Sequence, residues 1–330
     1  MSPVVIGRRG PSADNTVAVI VTLRPNREVA NHVETLIGCV GRVVVVDNGS
    51  GAEAAHVLDS IATLPSAEVI RNPVNLGIAR ALNQGAEVAI DAGADWLLTL
   101  DQDCEPTDEI VTIAGRTFES YPARDRIAVI GSAAFEFQPP GWVDPDAGKL
   151  WVETSGTITS GSLVSLAAFR TIGGFLDDLF IDQVDTEFCL RAWARGYRVL
   201  ASRTPAMFHR IGEPTERWIG FRTVHPTNHS AVRRYYITRN RILVFRRYWR
   251  VDRRAAAREF VASQKELVKL ILAERDRPAK LRAMLAGLRD GLRGIAGERG
   301  SRTPKKLAWP DLGPTPLQTR TRPDGRRLDR

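Results

Sequence analysis

The sequence predicts an α/β fold with a mostly parallel central sheet, followed by helices at the C-terminal end. Between residue 16 and about residue 115, short apolar runs alternate with segments of helical periodicity, which is the pattern of successive β-α-β units. The apolar runs are continuous rather than alternating, as expected for strands that helices cover on both faces. A chain of 330 residues, 43% of them hydrophobic, can form a core of this size.

The predicted elements follow in order along the chain. Apolar and β-branched runs predict strands at 17–23, 43–46, 69–72, 96–100, 127–132, 159–166 and 197–201. Helical spacing predicts helices at 31–38, 51–64, 78–92, 169–174 and 184–193, and a largely helical stretch over 230–296. Residues 138–150, rich in Pro, Gly and Asp, predict a loop.

The cysteines and the N-terminal residues predict a cytoplasmic protein. Cys39, Cys104 and Cys189 form neither an even set nor a CxxC pair, which indicates a reducing compartment and argues against a cysteine zinc site. Residues 1–15 lack the apolar segment of a signal peptide. The sequence also has no run of about 18 uncharged apolar residues, so no membrane span is expected.

Two carboxylates follow one predicted strand directly. The run 96–100 ends at Asp101-Gln102-Asp103. In open α/β sheets, ligands bind beyond the carboxyl ends of the strands. Carboxylate oxygens suit Mg²⁺ or Mn²⁺, ions that proteins usually hold through one or two carboxylates plus substrate phosphates. The tripeptide is therefore a candidate metal site, although Asp-x-Asp also occurs often by chance.

A further aspartate stands in the same position on another strand. Four valines at 43–46 precede Asp47, and turn residues follow it at 48–51. An earlier strand ends at Leu23, before Arg24-Pro25-Asn26, so three strands deliver polar residues to one rim of the sheet. Taken alone, Asp47 is equally typical of an Asx-turn or a helix N-cap.

Four motifs agree in order and spacing with one enzyme family. They are Asp47-Asn48-Gly49-Ser50, the segment 75–85, Asp101-Gln102-Asp103 and the segment 173–191. Together they resemble family 2 glycosyltransferases of GT-A fold, over roughly residues 16–250. The segment 173–191 and the Gln within Asp-Gln-Asp resemble the bacterial rhamnosyltransferase branch.

The resemblance implies which residues bind the nucleotide-sugar donor. Thr22 and Asp47 would hold the nucleotide, and Asp101 would contact the ribose or the metal. Arg239 lies in a segment that resembles one near the donor diphosphate, where it would pair with phosphate. Arg80 is a further donor-binding candidate, with a solvated helix position as its alternative.

Two more donor contacts are expected from position alone. Asn75 and Gly77 come just before the helix predicted at 78–92. Backbone N–H groups at such a helix start can point toward an anionic ligand. We therefore expect these two residues to contribute to donor binding.

The resemblance also implies the metal ligands and the catalytic base. Asp103 would bind an Mg²⁺ or Mn²⁺ ion that bridges the diphosphate, together with Asp101, and His209 would complete the metal shell. Asp185 would be the general base, with Val184 before it where the wider family has Glu. The residues themselves leave alternatives open: His209 can be an ordinary strand-end histidine, and an acidic first helical turn, stabilised by the helix dipole, explains Asp182, Asp185 and Glu187 equally.

The activity implied by the resemblance is an inverting, metal-dependent transfer of L-rhamnose from dTDP-L-rhamnose. The acceptor would be a hydroxyl of a cell-surface polysaccharide or a lipid-linked glycan precursor. UDP-galactofuranose or a UDP-hexose is the alternative donor. A dinucleotide-dependent oxidoreductase is not expected, because no GxGxxG follows the first strand.

Charge separates the C-terminal part from the rest of the chain. Residues 231–330 carry 27 Lys and Arg against 10 Asp and Glu, a net charge of +17, whereas residues 1–230 carry 19 against 28, a net charge of −9. A basic tail predicts an anionic partner such as membrane lipid, nucleic acid or an acidic protein. Nucleic acid is not expected, because the tail lacks aromatic interleaving and any RNA-recognition signature.

Within the tail, apolar residues recur among Arg and Lys from 255 to 295. This basic amphipathic pattern suits peripheral binding to the inner face of the plasma membrane, and packing against the catalytic domain or a second subunit is the alternative. We expect a disordered leader at 1–15, a GT-A glycosyltransferase domain at 16–250, a basic amphipathic helical extension at 251–298 and a disordered tail at 299–330.

Overall fold

The computed structural model describes residues 9–134, 148–209, 217–219, 222–224, 228–251, 253–300 and 305–312. Its strands are β1 (Thr16–Thr22), β2 (Arg42–Asp47), β3 (Ala67–Arg71), β4 (Trp96–Asp101), β5 (Cys104–Pro106), β6 (Ile127–Ala134), β7 (Trp151–Glu153), β8 (Ser162–Ser165), β9 (Arg198–His209), β10 (Arg217–Ile219), β11 (Arg222–Val224), β12 (Ile295–Ala296) and β13 (Lys305–Lys306). Its helices are α1 (Glu28–Ile37), α2 (Ala55–Ala62), α3 (Ile78–Asp91), α4 (Ile110–Ser120), α5 (Leu166–Ile172), α6 (Val184–Ala194), α7 (Ala231–Tyr248), α8 (Arg253–Ala273) and α9 (Arg277–Arg293). In the described part of the chain, no helix is both long and apolar enough to cross a membrane.

One large sheet organises the fold. Its strand order is β3-β2-β1-β4-β8-β6-β9-β5, with β7 paired to β9. The pairs from β3 to β4 are all parallel, whereas β8 runs antiparallel to both β4 and β6. The predicted α/β class with C-terminal helices is confirmed. Strands β5 and β7, of three residues each, were not predicted, because such short segments leave no periodicity to detect.

Each face of the sheet has its own hydrophobic core. Successive residues of a strand point to opposite faces, so Ala18 and Ile20 of β1 face one core while Val17 and Val19 face the other. Helices α1, α2 and α4 cover the first core, and α3, α5 and α6 cover the second. Burial on both faces explains why the strands are continuously apolar.

The register of the parallel strands brings their polar ends together. Thr22 at the end of β1 pairs with Asp47 at the end of β2, and Val21 pairs with Asp101 at the end of β4. Thr22, Asp47 and Asp101 therefore lie side by side at the carboxyl edge of the sheet, where polar residues from three strands were predicted to meet.

The C-terminal helices pack on the domain rather than extending from it. Helix α9 lies against α7 so closely that a Cβ atom at Gly287 would meet the Tyr235 carbonyl oxygen at 2.5 Å, and one at Gly291 would meet the Arg239 carbonyl oxygen at 2.8 Å. The Tyr235 hydroxyl donates to Asp290 of α9 at 2.8 Å. One face of the predicted amphipathic extension is thus used for packing.

Both predicted disordered ends contain ordered residues. At the N-terminal end, the Arg9 carbonyl accepts a hydrogen bond from the Trp96 indole at 3.1 Å, and Asn15 is buried. At the C-terminal end, β13 pairs with β12, and Trp309 contacts Tyr248 edge to face. The prediction of disorder is therefore wrong for 9–15 and 305–312. These segments have the polar composition of a disordered leader and tail, but they bury individual side chains against the domain. Residues 1–8, 301–304 and 313–330 lie outside the described residues, as do residues 135–147 of the predicted loop.

A buried ion pair joins three parts of the second core. Glu187 and Arg191, both fully buried on α6, form a bidentate pair with both nitrogen–oxygen distances at 2.9 Å. Arg191 also donates to the carbonyl oxygens of Ile172, Gly173 and Gly174, and the Tyr248 hydroxyl donates to Glu187 at 2.7 Å. The pair therefore ties α6 to the end of α5 and to α7.

Substituting Glu187→Gln should lower the free energy of unfolding by about 3–5 kcal/mol, because it leaves the Arg191 charge buried without its counter-ion. Urea denaturation monitored by circular dichroism measures this. The exposed pair Asp59–Arg71 provides the control, since Asp59→Asn should cost less than about 1 kcal/mol. Equal losses in the two variants would contradict a structural role for the buried pair.

Candidate active site

The carboxyl edge of the sheet begins with a polar turn after β2. Asp47 is 2% exposed, and its Oδ1 accepts from the Thr22 hydroxyl at 3.2 Å while its Oδ2 accepts from the Ser50 backbone N–H at 3.0 Å. The Ser50 hydroxyl also donates to Asp47. In the structure Asp47 therefore stabilises an Asx-turn with Ser50, as one of the two sequence interpretations expected. Its contact with a nucleotide stays a prediction.

Gln102 attaches the Asp-Gln-Asp tripeptide to the end of β1. Its side-chain oxygen accepts from the Leu23 N–H at 2.9 Å, and its side-chain nitrogen donates to the Leu23 carbonyl at 3.2 Å. This two-way pairing holds Asp101 and Asp103 on either side of a fixed residue. It supplies a structural reason for Gln at this position.

Two consecutive residues bridge Asp101 and the predicted base. The Ser160 hydroxyl donates to Asp101 Oδ2 at 2.7 Å, and the Thr159 N–H donates to Asp185 Oδ2 at 3.1 Å. The other oxygen of Asp185 accepts from the Thr186 N–H at 2.7 Å, at the start of α6. The sequence analysis did not single out Thr159 or Ser160, because they lie about 60 residues from Asp101 and carry no motif.

The pKa of Asp185 is raised to about 6, mainly because the carboxyl group loses contact with water. The N–H groups of Thr186 and Thr159 lower this pKa, and the nearby carboxylates of Asp101 and Asp182 raise it. A carboxylate with a pKa near the working pH suits general-base catalysis, since it is ionised yet basic enough to take a proton. The structure thus brings the candidate base beside the candidate metal-binding carboxylate.

The loop before Asp185 is strained and tightly held. Phe180, Asp182 and Gln183 all have φ between 64° and 66°, the left-handed region that non-glycine residues seldom adopt. The amide nitrogen of Asn240, a fully buried residue of α7, lies 2.8, 2.8 and 2.9 Å from the carbonyl oxygens of Leu179, Ile181 and Asp182. Backbone strain of this kind persists only where several surrounding contacts hold the backbone in place.

A second loop closes the same region from the side of α3. Gly77 has φ 88°, and a Cβ atom there would lie 2.7 Å from the Phe180 carbonyl oxygen. The N–H of Gly77 donates to the Asn75 side chain at 2.9 Å, and the N–H of Ile78 donates to the Phe180 carbonyl at 2.7 Å. The expectation that the Gly77 N–H points to the donor is therefore wrong, because the protein itself uses that group. Asn75 is exposed, so its side chain remains a donor-binding prediction.

The two predicted arginines lie in different settings from those expected. Arg239 is 1% exposed, and its guanidinium donates to Asn240, Asp178, Leu179 and Gly297 while it stacks on Tyr236. The prediction that Arg239 pairs with the diphosphate is wrong for that reason. Arg80 is partly exposed and forms ion pairs with Asp177 and Glu87, at 3.6 and 4.0 Å, which favours the solvated-helix alternative.

The donor set of the metal prediction fits a hard divalent cation. Asp101 ends β4, and Asp103 is exposed two residues later. His209 is the last residue of β9, and the β5·β9 register places its backbone opposite Cys104, next to Asp103 in the chain. The His209 side chain is outside the described residues, and among the described ones no three His, Cys, Asp or Glu side chains are gathered as a metal cluster. Two carboxylates together with substrate phosphate are nevertheless a usual Mg²⁺ environment.

Residues 12–137, which run from the first turn through β6, match the family model Glycosyl transferase family 2. These residues form a glycosyltransferase family 2 domain. The dTDP-rhamnosyl transferase RfbF of Shigella flexneri is 28% identical over 300 residues, covering 86% of this chain and 97% of that protein. The predicted family is thereby confirmed, and the protein is a glycosyltransferase.

Solved structures confirm the fold class of this glycosyltransferase. The structure of S. aureus TarS 1-349 aligns with a TM-score of 0.51 at 13% identity, covering 84% of this chain and 80% of that chain. The same fragment in complex with UDP-GlcNAc aligns with a TM-score of 0.50 at 13% identity, covering 82% and 79%. The GT-A type of fold predicted from the motifs is therefore confirmed.

If Asp185 is the base, kcat/KM should fall about tenfold per pH unit below about pH 6, as protonation removes the base. Asp185→Asn, which keeps the shape of the side chain, should abolish turnover with donor affinity near normal. Steady-state rates from pH 4.5 to 8 and calorimetric titration of the donor measure these effects. Normal turnover with weakened donor binding in the variant would instead assign Asp185 to the nucleotide.

Asn240→Ala should lower kcat about 100-fold while nucleotide affinity stays within a few-fold of normal, because it releases the loop that places Asp185. A misplacement of about 1 Å is enough for a loss of this size. Turnover under saturating donor and calorimetry with the nucleotide measure the two quantities separately.

Asn83→Ala is the matched control for the Asn240 variant. Asn83 holds another loop by a two-way pairing with the Phe175 backbone, at 2.8 and 2.9 Å. Its removal should cost a similar amount of stability and leave kcat nearly unchanged. A comparable fall in kcat in both variants would mean that the Asn240 effect is general loosening of the fold.

Proposed function

We propose that this glycosyltransferase transfers L-rhamnose from dTDP-L-rhamnose to a hydroxyl of a cell-surface polysaccharide or lipid-linked glycan precursor, with inversion at the anomeric carbon. The similarity to the dTDP-rhamnosyl transferase RfbF over nearly its whole length supports the donor. The observation that carries the reaction is the placement of one half-buried carboxylate, Asp185, beside Asp101 through the Thr159–Ser160 bridge.

The acceptor hydroxyl would give its proton to Asp185 as its oxygen attacks the anomeric carbon of the donor. The bond from that carbon to the diphosphate oxygen breaks in the same step, and a single displacement of this kind inverts the configuration. Asp185 suits this role because its raised pKa leaves it basic at neutral pH. The two N–H groups that hold its oxygens orient it without protonating it.

Asp101 and Asp103 would hold an Mg²⁺ or Mn²⁺ ion, and His209 would add a nitrogen ligand. When bound, such an ion neutralises the charge that develops on the leaving diphosphate. Thr22 and Asp47 would contact the nucleotide, and Asn75 would contact the donor at the edge of the same site. In this arrangement the donor lies on the Asp101 side of Asp185 and the acceptor on the other side.

Binding to an anionic membrane surface is a further proposal, which rests on the net charge of +17 in residues 231–330. The cytoplasmic location at the membrane periphery, predicted from the sequence, is part of the same proposal. The packing of α9 on α7 uses one face of these helices and leaves Leu285, Leu288 and Leu292 exposed on the other.

The donor is tested by incubating the protein with dTDP-L-rhamnose, UDP-galactofuranose and UDP-glucose, with and without EDTA, and following nucleoside diphosphate release and product mass. We expect dTDP-L-rhamnose to be the preferred donor and EDTA to abolish transfer. Full activity in EDTA would disprove the metal role, and preference for a UDP-sugar would replace the proposed donor.

Two substitutions refine the metal assignment. Asp103→Ala should abolish transfer and metal-dependent nucleotide binding, and His209→Ala should weaken metal affinity by about 10–100-fold. Asp108→Ala, on the nearby turn before α4, is a control that should keep normal activity.

A further inference from the structure

A wide apolar groove opens beside the candidate base. It encloses about 900 Å³, and its walls come from the loop 154–158, from α6 and from the three C-terminal helices α7, α8 and α9. Asp185 lies in its wall, whereas Asp101 and Ser160 do not. The groove therefore reaches the reaction centre at Asp185 and not at Asp101.

The groove wall is built mainly from apolar side chains that remain accessible. Phe245 of α7 and Trp249, which follows that helix, line the groove together with Leu285 and Leu288 of α9, and all four are exposed. A contiguous apolar surface of this size marks a binding site in most soluble proteins. A sugar alone, with its many hydroxyls, would leave this wall unfilled.

The charged groups in the groove are already engaged with one another. Arg234 and Arg241 both pair with Glu266, at 3.5 and 3.7 Å, and Arg234 also pairs with the buried Glu274. Their charges are thus largely compensated within the wall. The groove is chemically suited to a hydrocarbon chain rather than to a second charged ligand.

We propose that this groove binds the hydrocarbon chain of the acceptor, so that the acceptor's sugar hydroxyl is delivered to Asp185. The proposal rests on the proposed function, because it takes Asp185 as the group that receives the acceptor proton. The groove is continuous with Asp185, so a molecule anchored there by its apolar part reaches Asp185 with its polar end. A flat bilayer surface or a second copy of this chain has no comparable reason to end at a catalytic carboxylate.

The test measures binding without requiring turnover, so it stands apart from the donor assay. The full-length protein with dTDP bound is titrated by calorimetry with n-dodecyl β-D-glucoside below its micelle-forming concentration, and with methyl β-D-glucoside. We expect the dodecyl compound to bind and the methyl compound to show no measurable binding. Absence of binding by the dodecyl compound to the wild-type protein would overturn the proposal.

Substitutions locate the site. The double variant Leu285→Gln with Leu288→Gln should weaken dodecyl glucoside binding by about tenfold or more, because each leucine contributes apolar contact area. Phe245→Gln tests the opposite wall and should act in the same direction. Leu292→Gln is the matched control, since Leu292 lies on the same helix at 56% exposure, against 66% for Leu285, and does not line the groove. Unchanged binding in both groove variants would overturn the proposal.

Two further measurements separate the other occupants. Light scattering that shows a wild-type dimer, split by the double variant, would assign the groove to a second copy. Vesicles of phosphatidylcholine and phosphatidylglycerol that bind the wild-type protein but not the double variant, without any dodecyl glucoside binding, would assign it to the bilayer. If the groove binds the dodecyl compound but no donor on the panel is turned over, the proposed function fails while the hydrocarbon site stands.

Discussion

The buried Glu187–Arg191 pair is the interaction on which the catalytic side of this structure depends. A charged pair with no exposure has lost its hydration, so it is stable only because each of its polar atoms finds a partner. The partners come from three places: the carbonyls at the end of α5, the hydroxyl of Tyr248 on α7, and α6 itself. The same helix carries Asp185, two residues before Glu187. The pair thus fixes the position of the base relative to both neighbouring helices.

Around this helix, buried polar groups serve geometry rather than ligand binding. Asn240 and Arg239 bind the carbonyl oxygens of the strained loop between 178 and 182, and Gln102 binds the backbone at the end of β1. Asn240 and Arg239 thereby satisfy backbone groups that would otherwise be buried without partners. Holding these segments costs conformational entropy, and the result is a reaction centre whose carboxylates have defined neighbours. This is why an arginine that resembles a phosphate ligand in sequence is structural in the fold.

The C-terminal helices combine two properties that the sequence analysis treated as alternatives. Helix α9 packs on α7 through two close glycine contacts and the Tyr235–Asp290 hydrogen bond. Its other face exposes leucines toward the groove that reaches Asp185. Packing and an accessible apolar surface coexist because a helix presents different residues on its two sides. The extension therefore belongs to the architecture of the site.

The sequence by itself determined the α/β class, most strands and helices, and the family, because periodicity and motif order are local properties of the chain. It also placed Asp47 and Asp101 at one edge, since parallel strands carry their carboxyl ends to the same side. It did not reveal the Thr159–Ser160 bridge, the Asn240 clamp or the burial of Arg239. These depend on contacts between residues about 25 to 60 positions apart, which leave no local pattern. Only the tertiary structure decided that Asp185 lies half-buried beside Asp101 and has a raised pKa, because both the desolvation and the neighbouring charge of Asp101 are supplied by other segments of the chain.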